Sequence, residues 1–349
     1  SGRSTKDNRM KLGAVMDNYK RMGKITYVLM ADAEKCFDKL WLEDCLVDMA
    51  EAGMREREVM MIRELNRTAN IRIDTPAGKT KEIKVESIVK QGTVMGPQLF
   101  CIISAKVNQM IIISLEILTP TITVEAMIYV DDIMGAGSRR HIEKIGKCLG
   151  EMERKKKYTF NVGNGKSHYM VIKTGRDKIE NVEIEVEKGM IEKTEWYKYL
   201  GNVLTSEGTV EGQIKEVRNK VKGMVKEVKR IGEEGKVGKM DTSVRLLLWE
   251  RIIIPTLIFN LETWTTWRKA DWEDLERVQG ESLRSILQLP KTTPYWGMLI
   301  ELGMWTMKAR VDERLGWLKE LLESGEDRVA KQVVMEQNKL EMEVCCIAK

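Results

Sequence analysis

Histidine is almost missing from this chain, with two residues in 349. The six cysteines stand apart at 36, 45, 101, 148, 345 and 346, and none forms a Cys-x-x-Cys pair with His at zinc-finger spacing. That excludes a structural zinc site and a disulfide framework, and it fits a reducing compartment. Long apolar runs are missing too. The most apolar windows, 99–118 and 246–261, are broken by Lys106 in the first and by Glu250, Arg251 and Pro255 in the second, so neither reads as a membrane span. No signal peptide opens the sequence and no internal repeat runs through it. An excess of one charge is also lacking: 32% of residues are charged, yet the net charge is only +5. Such a balance does not by itself predict a nucleic-acid partner.

What is present is enough apolar residue, 43%, to build ordinary cores, at a length that suits two domains. Residues 1–24 are polar and basic, with a weak helical stripe at Leu12, Val15, Met16 and Tyr19. They read as if cut from something longer. Ile25–Ala31 is a short run of strand formers closed by Asp32. Helices are predicted over 39–50 and 55–66, then a hairpin over 70–86 turning at Pro76-Ala77-Gly78. Gly92, Gly96 and Pro97 interrupt the next stretch, and an apolar helix to about 117 follows. Ser138 is placed to cap a helix over 139–156, and Arg154–Lys157 either suit its dipole or contact phosphate. Strand patterns return over 158–205. Beyond 206 the pattern is almost wholly helical, with Ile214, Val217, Val221, Met224, Val228 and Ile231 on one stripe. Six of the nine Trp fall between 249 and 305.

The stretch that carries chemistry is Tyr129-Val130-Asp131-Asp132 within AMIYVDDIMGAG. It reads as a hairpin with both aspartates at its tip. Adjacent carboxylates repel unless a cation sits between them, and Mg²⁺ is the usual one because it takes carboxylate and phosphate oxygens. The alternative is a solvated Asp-Asp turn. Asp32 ends a second buried-type strand about a hundred residues earlier. Strand ends side by side would join Asp32 and Asp131 into a site for two Mg²⁺, the clamp for in-line phosphoryl transfer.

ADAEKCFDKLW, VKQGTVMGPQLF, YVDD, NGKSHYMVI and WYKYLG occur in the order of the palm motifs of reverse transcriptases, and their phrasing resembles the non-LTR (LINE-type) retrotransposons. SGRSTKDN resembles the end of that family's Gly-Phe-Arg…Ser-Thr segment, and the helical half resembles its thumb. The resemblance implies an α+β chain: a remnant of the fingers over 1–24, a ferredoxin-like split βαβ palm over 25–205, and a helical thumb bundle over 206–349. It implies RNA-directed DNA polymerisation of dNTPs by a two-metal mechanism, with Mn²⁺ as a substitute for Mg²⁺.

The resemblance also assigns roles. Asp32 and Asp131 are the implied metal ligands, with Asp132 a supporting carboxylate. Ala33, Glu34, Lys35 and Cys36 lie against the incoming triphosphate. Phe37 takes the place of the gate that excludes ribonucleotides, or is plain core. Gln91 and Gly92 touch nucleotide and template. Lys166 stands where the family has a lysine that can protonate pyrophosphate, or is a surface lysine. Tyr199, Leu200 and Gly201 form the primer grip, although Tyr199 reads equally well as core.

The sequence departs from the pattern in several places. Val130 stands where LINE elements usually have Ala, and Cys36 where many relatives have Ala. Most of the fingers with their triphosphate-clamping Arg, the endonuclease and the C-terminal Cys/His knuckle are expected to be missing. An isolated chain of this kind is expected to have weak or no activity alone. The implied partners are an RNA template and a DNA primer or nicked target DNA, with no membrane, in a nuclear or cytoplasmic ribonucleoprotein. One rival is a silent, truncated or domesticated copy that binds RNA only. The other is an RNA-dependent RNA polymerase, against which Phe37 speaks.

Overall fold

The structure is a computed structural model that describes residues 5–34, 42–66, 69–76, 78–85, 125–129, 132–156, 159–163, 166–173, 178–234 and 240–324. The chain divides into two compact units, Asn18–Glu195 and Ser1–Asp17 with Trp196–Lys349. The first division falls within the opening helix α1 (Thr5–Arg21).

The Asn18–Glu195 unit is built on β1 (Thr26–Asp32), whose residues from Thr26 to Ala31 are all buried. Helices α2 (Leu42–Glu51) and α3 (Glu56–Asn66) follow it. Next come short strands β2 (Ala69–Ile71), β3 (Asp74–Thr75), β4 (Gly78–Lys79) and β5 (Ile83–Val85), with β2 on β5 and β3 on β4. This is the predicted hairpin. The apolar helix expected to about 117 lies outside the described residues.

Strands β6 (Glu125–Tyr129) and β7 (Asp132–Gly137) form the expected second hairpin. Helix α4 (Arg139–Lys156) starts just after Ser138, whose Oγ accepts the N–H of His141 at 3.4 Å. After it come β8 (His168–Ile172), β9 (Glu185–Val186), β10 (Gly189–Met190) and β11 (Glu192–Lys193). One sheet has the order β11-β8-β1-β7-β6, antiparallel except for the parallel β11–β8 pair. β1 therefore runs through the middle, between β7 and β8.

One core covers a face of this sheet. Tyr27, Leu29 and Ala31 of β1 join Ile142, Ile145, Leu149 and Met152 of α4. The spacing of the four α4 residues is that of one helix face. Gly135 on β7 lets the helix come close, because a Cβ there would collide with Ile145 Cδ1. Burying side chains of this kind stabilises by about 1.5–3 kcal/mol each.

The second unit holds the hairpin β12 (Trp196–Tyr199) and β13 (Asn202–Thr205), then helices α5 (Glu211–Glu234), α6 (Thr242–Leu248), α7 (Ile254–Leu257), α8 (Lys269–Leu287), α9 (Tyr295–Glu301) and α10 (Met307–Ser324). A wide π turn, Trp249–Ile253, joins α6 to α7. It precedes Pro255, whose nitrogen cannot donate to a carbonyl one turn back, and the wider turn absorbs that break.

The stripe on α5 differs from the expected one. Ile214, Val217, Val221 and Val228 are buried, but Val225 takes the place of Met224 and Ile231 is 47% exposed. Leu12, Val15 and Met16 of α1 are also core in this unit, as their spacing predicted. Arg9 beside them is buried as well, its guanidinium 4.0 Å from the ring centroid of Trp264. Burial lowers its pKa to about 10, against the opposing pull of Asp17.

Candidate active site

Asp32 is the last residue of β1, and its register partner on β7 is Asp132. Directly opposed residues of an antiparallel pair share one face of the sheet, so two carboxylates meet at neighbouring strand ends. β6 ends at Tyr129 and Asp132 begins β7, which leaves Val130 and Asp131 between them. Both lie outside the described residues, as do Lys35, Cys36, Phe37, Gln91 and Gly92.

A short segment from the other side of β1 completes the surroundings of Asp32. Phe160 is fully buried and bridges Ala33, and Val162 bridges Ser167. Asp32 N–H donates to Ser167 Oγ at 3.0 Å, and Asn161 N–H donates to the Asp32 carbonyl at 2.9 Å. Asn161 Nδ2 donates to Asp32 Oδ2 at 2.7 Å, and Lys166 Nζ donates to Asp32 Oδ1 at 3.3 Å. All four polar atoms of Asp32 thus meet a group from residues 161–167. The Asp32 side chain is 18% exposed and that of Lys166 is 52% exposed. Upstream, the buried Glu153 accepts Phe160 N–H at 2.9 Å and Glu187 N–H at 2.7 Å, which fixes where this segment starts.

The structure therefore brings Asp32, Asp132 and Lys166 together. Ala33 is buried beside them. Glu34 N–H donates to Thr159 O at 2.8 Å, and the Glu34 carboxylate pairs with Lys188 at 2.6 Å. Asn161, Ser167 and Glu153 were not expected from the sequence. The available signal was a lone polar residue in YTFNV, where Asn161 interrupts strand formers.

The oxygen-rich donor set suits a hard divalent cation. Among the described residues no group of three or more His, Cys, Asp or Glu could hold a metal ion. Asp32 and Asp132 supply two carboxylates, and the ammonium of Lys166 shows that the position accepts positive charge.

Tyr199, Leu200 and Gly201 belong to the second unit. Tyr199 is 2% exposed, and its hydroxyl accepts from Asn8 Nδ2 at 3.5 Å, so its ring is core. Leu200 and Gly201 form the two-residue turn, with φ of 47° and 80°. Positive φ at both positions is what a tight hairpin turn requires. A Cβ on Gly201 would also approach Phe259 Cε1 to 2.8 Å. In the same unit a groove of about 320 Å³ runs between α5 and α8. Arg218, Lys222, Lys226 and Lys229 line it with Val225, Val278, Glu281, Ser282 and Ser285, so four cations face one carboxylate, although Arg218 is paired with Asp274 at 3.1 Å.

Residues 1–204 match the family described as Reverse transcriptase (RNA-dependent DNA polymerase), and the chain belongs to that family. Among solved structures it is similar to telomerases at low identity. Apo telomerase from Candida tropicalis shares 12% identity over 95% of this chain and 49% of that one, with a TM-score of 0.44. The same enzyme truncated from its C-terminal domain shares 12% over 60% of this chain and 39% of that one, with a TM-score of 0.43. Telomerase from Candida albicans in complex with a fragment of telomeric RNA shares 10% over 84% of this chain and 54% of that one, with a TM-score of 0.45. This chain thus spans between 39% and 54% of those telomerase chains. No curated protein matches it.

Proposed function

We propose that the chain performs RNA-directed DNA synthesis for a LINE-type retroelement. The observation that carries this reading is the pairing of Asp32 with Asp132 at the end of a buried strand, beside Lys166, in a chain of the reverse transcriptase family. The sheet unit acts as a split βαβ palm and the helical unit as a thumb. The LINE-type assignment is supported by the five motifs, in order, in the sequence.

Reverse transcriptases use divalent metal ions. Asp32 and Asp131 would hold two of them, Mg²⁺ by preference, with Asp132 supporting. When bound, such ions activate a 3′-hydroxyl and neutralise a leaving pyrophosphate. Lys166 would give a proton to the pyrophosphate. Pairing with Lys188 neutralises Glu34, which removes a charge that would repel a triphosphate. Phe37 is the gate against ribonucleotides, and Gln91 with Gly92 touches the nucleotide and template. On the primer grip, the turn Leu200-Gly201 remains for contact, since the Tyr199 ring is buried. The basic groove of α5 offers phosphate contacts to RNA template and DNA primer. The place of work is a nuclear or cytoplasmic ribonucleoprotein.

Primer extension on poly(rA)/oligo(dT) with dTTP and Mg²⁺ tests this reading. Wild type should extend weakly, and Asp131→Asn should lose that extension. Equal extension by both would remove the two-aspartate site. No extension by wild type, with RNA still bound, would favour a silent RNA-binding copy.

A further inference from the structure

Asn161 is bound to Asp32 twice. Its backbone N–H meets the Asp32 carbonyl at 2.9 Å, and its carbonyl accepts Ser167 N–H at 3.2 Å. Those two bonds need no particular side chain. The side-chain amide does something separate: among the described residues it reaches only the carboxylate, at 2.7 Å to Oδ2. A hydrogen bond to an ionised acceptor is stronger and more directional than a neutral one. It sets the rotation of the carboxylate and leaves Oδ1 as the oxygen turned toward cations. Lys166 Nζ sits there, at 3.3 Å, on a side chain half in water. A pair so exposed is weakly held.

We infer that Asn161 is a positioning residue for the metal-ligating carboxylate of Asp32, and that Lys166 is a displaceable cation on its other oxygen, Oδ1. The inference rests on the reading of Asp32 as a metal ligand. Groups that hold a ligating carboxylate from outside commonly change metal affinity by about 10–100-fold when removed. The two residues should then act in opposite directions. Losing the Asn161 amide frees the carboxylate to turn away and weakens binding. Losing the Lys166 ammonium removes a competitor and strengthens it.

The test is a Mn²⁺ titration of the full chain, without nucleic acid or nucleotide, read by the electron paramagnetic resonance of the free ion. Wild type is compared with Asp32→Asn, Asn161→Ala, Asn161→Leu and Lys166→Ala, each with a thermal melt. Asn161→Leu keeps the branched shape without the donors, in case the smaller variant folds poorly. The expected result is loss of the tight site in Asp32→Asn, binding about 10–100-fold weaker in both Asn161 variants at unchanged melting temperature, and several-fold tighter binding in Lys166→Ala. Wild-type affinity in the Asn161 variants, with the site lost in Asp32→Asn, overturns the positioning role and leaves the metal reading standing. Weaker binding that tracks a lowered melting temperature makes Asn161 structural and also overturns it. Unchanged or weaker binding in Lys166→Ala overturns the displaceable cation. Wild-type binding in Asp32→Asn overturns the metal reading and the inference with it.

Discussion

His141 shows how one residue's surroundings set a pH response. Its Nδ1 lies 2.8 Å from Ser138 Oγ and accepts Ser138 N–H at 3.3 Å, so that nitrogen carries a lone pair and no proton. The ring also stands in the first turn of α4, where the helix dipole opposes a cation. Burial first, then Lys144 and Arg140, push its pKa below the ordinary histidine value. The folded state thus binds fewer protons than the unfolded chain below about pH 6.5. Stability from this group is complete above that pH and falls as pH drops through the folded pKa. The melting temperature should therefore fall more steeply between pH 7.5 and 5 in wild type than in His141→Gln, and identical slopes would show that the ring does not matter. That Asp32 and Asp132 stand at strand ends was legible in the sequence, whereas Lys166 came only with the family resemblance, beside the reading of a surface lysine. Asn161, Ser167 and Glu153 were not legible, because the groups they meet, on β1 for the first two and at Phe160 and Glu187 for the third, are set by the folded chain and not by a local pattern. Arg9 was missed for a different reason: hydrophobic periodicity counts an arginine as solvent-facing, whereas the face of Trp264 and the charge of Asp17 favour its buried guanidinium.

At the scale of elements, the meeting of β7 with α4 depends on a missing side chain. Gly135→Ala would drive a methyl into Ile145 Cδ1, at a residue that is fully buried. Overpacking of this kind costs about 1–3 kcal/mol. Adding Ile145→Val removes the colliding methyl, so the double variant should recover part of the loss in urea denaturation. Equal or greater loss in the double variant would mean that the collision is relieved elsewhere. Buried strands and amphipathic helices were the readable part of this fold. β1 reads as apolar on both faces because the side chains on both faces are buried from Thr26 to Ala31. The stripe on α5 was read correctly at four positions. It slipped at Met224 because 3.6 residues per turn carries the centre of the face onto Val225 after two four-residue steps. The short strands β9, β10 and β11 have two residues each, too few to show alternation.

For the molecule as a whole, the basic groove between α5 and α8 is the feature that salt should report. Lys222, Lys226 and Lys229 share one side of α5 and line it together. If they meet phosphates, replacing all three with Gln should flatten the log–log salt dependence of single-stranded RNA binding by about 2, at about 0.7 per contact. An unchanged slope would take the groove out of the binding path. The net charge of +5 gave no hint of this, because the basic residues are concentrated locally.

The central place of β1 has a consequence for how the protein is made. Asp32 leaves the ribosome well before the groups that meet it, which come from residues 132, 161, 166 and 167. A growing chain must release β8, ending at Ile172, before β1 has both its neighbours. Closing so long a loop is entropically costly and slow to reward. The surroundings of Asp32 therefore form only near the end of this unit's folding.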